Sequence, residues 1–134
     1  MPQATVAALM IAVREGRPEI LLTRRRVEPF RGRWCLPGGH IDPGDQARVA
    51  VVREVKEETG LDFEARFAGY LDEIIPERGI HAVVLVFTGP ARGELVPSQE
   101  EVSEIAWFPI EEARSMALAF THNEVLDRYA GQSG

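Results

Sequence analysis

Three glutamates, Glu54, Glu57 and Glu58, fall within one turn of a predicted helix, close to its C-terminal end. Residues three or four positions apart share a helix face, so these carboxylates repel one another by about 0.2–0.5 kcal/mol per pair. They also face the negative end of the helix dipole, which costs roughly 0.3–1 kcal/mol per exposed charge. A divalent cation would turn this repulsion into coordination, because hard cations prefer oxygen ligands. The cluster therefore predicts a metal site.

The rest of this helix separates a core face from the acidic face. At about 100° per residue, four side chains form one predicted core arc: Val49, Val52, Val55 and Thr59. Two small residues, Ala47 and Ala50, fall on the same side as the acids and leave room for a ligand, although they are equally typical of lightly packed helix positions. Arg53 precedes Glu57 by four residues, so we expect the two to pair. Gly60 is expected to end the helix.

Residues 39–61, GHIDPGDQARVAVVREVKEETGL, resemble the Nudix box, G-x5-E-x7-R-E-U-x-E-E-x-G-U, where U is aliphatic. The residues that match it are Gly39, Arg53, Glu54, Val55, Glu57, Glu58, Gly60 and Leu61. Asp45 departs from the pattern, because the box has a glutamate there. Asp45 is a candidate N-cap, and the resemblance implies that this position supports the helix more than it holds the main metal. We therefore expect reduced or altered activity from this departure before abolished activity.

The resemblance implies a hydrolase of phosphoanhydride bonds that uses Mg²⁺ or Mn²⁺. On that basis the expected metal ligands are Glu54, Glu57, Glu58 and the Gly39 carbonyl, with Arg53 among the catalytic residues. The expected general base is Glu101, because Glu101 and the residues after it resemble the E-x-x-E-x-x-W pattern of Nudix proteins. Nearby acids, Glu100 and Glu104, remain open alternatives.

Strands and helices alternate along the chain without a linker or a repeat, which predicts one domain over residues 1–134. The predicted strands are 4–13, 19–25, a short one near 34–36, 67–74, 81–88 and 102–108. A short helix is expected from 109 to 116, and Thr121 with Glu124 predicts a capping box for a last helix reaching about 129. Such alternation is typical of an α/β fold, and the resemblance implies the Nudix-type α/β/α sandwich with a curved mixed β-sheet.

Composition narrows the partners. The chain of 134 residues is 45% hydrophobic and 27% charged, which is typical of a globular protein. Its net charge of −6 argues against a general nucleic-acid binder, which needs excess lysine and arginine to neutralise phosphates. The apolar start, VAALMIAV, is too short to span a bilayer and lacks a basic segment before it, so we expect a cytoplasmic protein without a membrane anchor. The single cysteine, Cys35, is expected to be a buried strand residue.

Substrate recognition depends on a local basic patch. It comprises Arg24, Arg25, Arg26, Arg31 and Arg33, and guanidinium groups suit phosphates. We take Arg24, Arg26, Arg33 and Gly38 as candidate substrate-binding residues, although each arginine is also typical of a solvated strand face. This region and the LAFTHNEVL stretch are similar to those of bacterial and archaeal Nudix proteins that cleave ADP-ribose.

Three functions remain open. The first is hydrolysis of a nucleoside diphosphate linked to another group, as in ADP-ribose. The second is a (d)NTP pyrophosphohydrolase that removes unwanted nucleotides, and the third is a catalytically weak nucleotide-binding module, for which Asp45 is the one hint. The expected partner is a small nucleotide rather than a nucleic acid or a membrane. The resemblance also leaves open a homodimer, with the N-terminal strand as a candidate exchanged edge.

Overall fold

The computed structural model describes residues 1–96 and 100–132, apart from the side chain of Gln132. Its strands are β1 (Gln3–Leu9), β2 (Ile11–Arg14), β3 (Arg17–Arg25), β4 (Trp34–Cys35), β5 (Gly38–His40), β6 (Asp62–Phe63), β7 (Arg66–Ile75), β8 (Ile80–Thr88), β9 (Ala91–Arg92) and β10 (Val102–Pro109). Its α-helices are α1 (Ala47–Thr59), α2 (Ile110–Ser115) and α3 (His122–Tyr129). Within these described ranges, no helix has both the length and the apolar character needed to cross a bilayer.

Two four-stranded sheets form the centre of the fold. The first has the order β5-β1-β8-β7 and is mixed, because β1 runs parallel to β8 while its other pairs are antiparallel. The second has the order β10-β3-β2, with β4 also paired to β3. A short third sheet joins β6 and β9. The predicted α/β class is confirmed, although the strands are divided between sheets rather than forming one continuous sheet.

Strand β1 supplies side chains to two hydrophobic cores. Because successive residues of a strand point to opposite faces, Ala8 packs in one core with Val55 of α1, and Leu9 packs in the other with Leu126 of α3. All four side chains are almost completely buried. Helices thus cover the central strands from both sides, as the predicted sandwich requires. The same placement corrects one expectation, since β1 lies between β5 and β8 and is not an exchangeable edge.

Helix α1 is rotated slightly from the predicted core arc. Val55 and Thr59 are buried as expected, but Val49 is 52% exposed and the prediction for it was wrong. Val51 takes its place in the core beside the first sheet. The rotation follows from packing, because the inward face of α1 also buries Glu58, which a hydrophobicity pattern assigns to the solvent side.

The predicted capping box of α3 is also wrong. Thr121 is the N-cap residue, but its side chain makes no capping hydrogen bond within the helix. The Thr121 hydroxyl instead donates to Oε2 of Glu73 at 2.7 Å, and the Thr121 backbone N–H donates to the same oxygen at 3.1 Å. A carboxylate on β7 therefore fixes the start of α3, because a buried acceptor competes with the local one.

Gly38 tests how closely the strands of the first sheet approach. A Cβ added there would overlap the carbonyl oxygen of Val6, which is backbone and cannot swing aside. We expect Gly38→Ala to lower the free energy of unfolding by about 1–3 kcal/mol. Urea unfolding of this variant and of Gly131→Ala measures the effect, since an added Cβ at Gly131 meets nothing within 4 Å. Equal stability of the two variants would contradict the close packing.

Candidate active site

A cleft of about 780 Å³ opens between the two larger sheets. Its lining includes Glu54 and Glu58 of α1 and Glu101, which immediately precedes β10. Further along the wall lie Glu73 of β7 and Phe120, which precedes α3. Ligand pockets are typically about 300–1,000 Å³, so the cleft is large enough for a nucleotide.

Three carboxylates meet in this cleft. One oxygen of each of Glu54, Glu58 and Glu101 lies within 4.8 Å of the others. Backbone pairing holds Glu101 in this place, because its carbonyl accepts a hydrogen bond from the Arg26 N–H at 2.9 Å. Residues distant in sequence thus form one acidic group, and the structure brings Glu101, the expected general base, together with two of the three helix acids.

Glu58 is the most deeply buried member of the group. Only 7% of the residue is exposed, and its Oε1 accepts a hydrogen bond from the Gly38 N–H at 3.2 Å. Burial, together with the nearby charge of Glu54, raises the pKa of Glu58 well above its ordinary value. Burial and then the charge of Glu57 also raise the pKa of Glu54. Ionising both Glu54 and Glu58 in the folded protein therefore costs free energy.

The β5 backbone comes close to these acids. A Cβ added at Gly39 would lie 2.9 Å from the carboxyl carbon of Glu54, tighter than real Cβ contacts allow. A side chain at this position would therefore force the Glu54 carboxylate to move. The sequence resemblance assigned the Gly39 carbonyl to the metal, and the structure brings that stretch of backbone beside the acidic group.

Arg53 connects the acidic group to the loop before α1. Its guanidinium pairs with Glu54 at 3.6 Å, with Glu57 at 3.7 Å and with Asp42 at 3.4 Å, and it also donates to Asp45. The hydrogen bond that Arg53 donates to Asp45 raises the pKa of Arg53. The predicted pairing of Arg53 with Glu57 is thus one of four.

Two expectations about this region change. Asp45 is not the N-cap of α1, because Gln46 holds that position and makes no side-chain capping bond. Asp45 binds Arg53 instead, eight residues further along the chain. The Glu57 side chain is 59% exposed and paired with Arg53, and the acids whose oxygens meet are Glu54, Glu58 and Glu101.

The predicted substrate-binding residues are only partly brought together. Gly38 lines the cleft, whereas Arg24 lies outside it, paired with Glu104 at 2.8 Å, and Arg33 lies outside it over the ring of Phe30. Arg26 likewise lies outside the cleft lining.

Sequence reasoning missed Glu73 and named Arg25 only as part of the basic patch, yet both residues line the cleft. Strand alternation carried the signal for both. Arg25 shares a strand face with the buried Thr23, and Glu73 follows the buried Leu71 at the same spacing of two. A charged residue at an inward-facing strand position indicates a functional site, but a search for hydrophobic alternation alone passes over it.

Two buried groups in the cleft wall are held in neutral form. Burial raises the pKa of the Cys35 thiol to about 11, which suits the predicted buried strand residue. Burial also lowers the pKa of His122 to about 3. Its Nδ1 accepts a hydrogen bond from the Leu36 N–H at 2.9 Å, so His122 joins α3 to the segment that leads into β5.

A family model of the NUDIX domain matches residues 1–129. The chain is 33% identical over 113 residues to an ADP-ribose pyrophosphatase of Methanocaldococcus jannaschii, covering 83% of this chain and 65% of that protein. It is 31% identical over 137 residues to the ADPR responsive transcriptional repressor NtrR of Acinetobacter baylyi, covering 95% of this chain and 52% of the repressor.

Among solved structures, a MutT NUDIX hydrolase from Burkholderia pseudomallei superposes with a TM-score of 0.84 at 29% identity, covering 96% of this chain and 98% of that one. The chain spans less than two thirds of the length of the curated relatives that it matches first. The NUDIX match over nearly the whole chain, together with the α/β/α fold and the acidic turn of α1, shows that this chain belongs to the Nudix family.

Proposed function

We propose that this protein hydrolyses a phosphoanhydride bond in a nucleoside diphosphate linked to another group, of which ADP-ribose is the model, with the help of a divalent metal. The observation that carries the proposal is the meeting of Glu54, Glu58 and Glu101 in a nucleotide-sized cleft. The similarity to a protein named ADP-ribose pyrophosphatase supports this choice of substrate class.

The residues present fit Mg²⁺ or Mn²⁺, in keeping with the general use of divalent metals by Nudix proteins. Glu54 and Glu58 offer hard oxygen ligands, and the Gly39 carbonyl is a further proposed ligand, taken from the resemblance. Glu57 remains a proposed ligand that would have to leave Arg53 to join them. When bound, such an ion supplies charge neutralisation on the phosphate oxygens and activates a water.

The chain's own residues have separate tasks in this proposal. Glu101 is the exposed carboxylate of the group and takes the proton of the attacking water, as a general base must lie within reach of it. Arg53 positions Glu54 and holds the loop before α1 through Asp45. Arg25 lines the same cleft and is a further proposed contact for a phosphate of the substrate.

Two other functions are retained as alternatives. A (d)NTP pyrophosphohydrolase would use the same carboxylates on a different leaving group. A nucleotide-binding module would bind its ligand in the cleft without hydrolysing it. The similarity to a protein named as an ADPR responsive repressor supports this alternative. The buried, mutually repelling pair Glu54 and Glu58 favours turnover, since simple nucleotide binding does not need it.

A substrate panel with Glu58→Gln tests the proposal. We expect the wild type to hydrolyse ADP-ribose or a related compound with Mg²⁺ or Mn²⁺, and Glu58→Gln to fall to the background rate, because it removes a proposed metal ligand while keeping the acceptor for the Gly38 N–H. The panel also holds NADH, diadenosine polyphosphates, nucleotide sugars and canonical and oxidised dNTPs.

The matched control is Glu111→Gln, which removes an exposed carboxylate on α2, outside the acidic group. It should retain wild-type activity. Turnover confined to dNTPs would select the second function. Absence of turnover across the whole panel, with a nucleotide still raising the melting temperature, would replace the hydrolase with the binding module.

Metal-free stability should depend on pH in a defined direction. The pKa of Glu58 is higher in the folded chain than in the unfolded one, where it has the ordinary glutamate value of about 4.5. Above this pH the folded chain therefore keeps a proton that the unfolded chain has lost. The free energy of unfolding should therefore fall as pH rises through this range, and Glu58→Gln should flatten the slope.

Urea unfolding in the presence of a chelator, at a series of pH values, measures this slope. Adding Mg²⁺ or Mn²⁺ should restore stability most at the higher pH values, because the ion binds the folded chain and neutralises the ionised pair. A wild type that gains stability with rising pH relative to Glu58→Gln would count against the buried, charged pair.

A further inference from the structure

Glu73 is a buried carboxylate that the proposed hydrolysis does not use. It lies on β7, is 3% exposed and lines the same cleft as the acidic group. Both hydrogen bonds that it receives, from the Thr121 N–H and hydroxyl, go to Oε2. Burying a carboxylate is costly unless its oxygens are satisfied, so the second oxygen is informative.

Oε1 of Glu73 is open to the cleft. It accepts no hydrogen bond from the part of the chain that the structure describes. In the part of the chain that the structure describes, Thr88 Oγ1 is the one completely buried side-chain oxygen or nitrogen without a hydrogen-bond partner. Oε1 of Glu73 also lacks a partner, so it is not completely buried. Glu73 therefore presents an acceptor to the cleft from a fixed position, because Thr121 holds its other oxygen.

An aromatic surface lies beside this acceptor. Phe120, adjacent to Thr121 in the chain, lines the cleft and has a φ of 56°, in the left-handed region that phenylalanine rarely adopts. Its ring packs edge-on against Phe30 at 5.0 Å between centroids, and the Arg25 guanidinium lies 4.9 Å from its centroid. Such strain persists only where the surroundings enforce it, and it is concentrated at functional sites.

The distance to the acidic group suits a nucleotide. Counted along the paired strands, Glu73 on β7 lies three strand spacings across the first sheet from Gly39 on β5 and three residues further along, which together amount to about 17 Å. Side chains from both places reach into one cleft. A diphosphate at Glu54 and Glu58 would leave its nucleoside directed along the wall that holds Phe120 and Glu73.

We propose that Glu73 and Phe120 form a nucleobase subsite in which Oε1 of Glu73 accepts a hydrogen bond from an exocyclic amino group. The proposal rests on the proposed function, since it takes the ligand to be a nucleotide, and it narrows the substrate to bases that carry such a group. A keto oxygen at that place would face a carboxylate and be rejected, because two acceptors cannot satisfy each other.

Binding of nucleoside monophosphates tests the subsite without turnover, because these compounds have no anhydride bond. AMP and GMP carry an exocyclic amino group, and IMP does not. By calorimetry with Mg²⁺ present, we expect AMP or GMP to bind the wild type at least about tenfold more tightly than IMP, since hydrogen bonds to charged groups contribute at this level.

Glu73→Gln should reduce this preference to less than about threefold or reverse it, because the amide N–H donates to a keto oxygen while the amide oxygen keeps the bonds from Thr121. Asp72→Asn, on the exposed face of the same strand, is the matched control and should leave the preference unchanged. A purely structural role for Glu73 would lower the melting temperature and leave the preference intact.

Several outcomes would overturn the subsite. These are equal binding of AMP, GMP and IMP to the wild type, an unaltered preference in Glu73→Gln, or no saturable binding of any of the three. They are separable from failure of the proposed function. Hydrolysis without a base preference would overturn the subsite alone, and a base preference without hydrolysis would overturn the hydrolase alone.

Discussion

Repulsion between Glu54 and Glu58 is the constraint on which the site depends. Burial raises the pKa of both carboxylates, and the charge of Glu54 raises the pKa of Glu58 further, so their ionised forms destabilise the fold unless something opposes their charge. Arg53 opposes it from the loop side and the Gly38 N–H from the strand side. The loop, the helix and β5 therefore all contribute to the surroundings of these two carboxylates. In the proposed function, a bound cation would supply the counter-charge.

Much of this arrangement was predictable because its signals are local or periodic. The spacing of Glu54 and Glu58 places them on one face of any helix, whatever the rest of the fold does. Gly60 ends α1 in the left-handed conformation, as expected. Glu101 was selected by its spacing from a downstream tryptophan, and the structure brings it to within 4.8 Å of the helix acids. Alternating strands and helices likewise predicted the class of fold.

The remainder depended on long-range pairing that sequence patterns do not report. Thr121 has the spacing of a capping box, yet its hydroxyl binds Glu73, 48 residues away in the chain. Asp45 is a residue type that suits an N-cap, yet its carboxylate accepts a hydrogen bond from Arg53 of α1. In both cases a short polar side chain had a local and a distant partner available, and packing decided between them. Val49 was misassigned for a related reason, because the core face of α1 includes a glutamate.

The register of β1 links folding to the site. Residues 6–9 of β1 alternate between the two cores, and Val6 is paired with Gly39 in β5. A slip of one position would send each of these side chains to the other core and would also shift the glycine that fits against Glu54. Correct packing of the two hydrophobic cores and correct alignment of the carboxylate site therefore depend on the same strand register. A chain whose cores are well packed has its site in register as well.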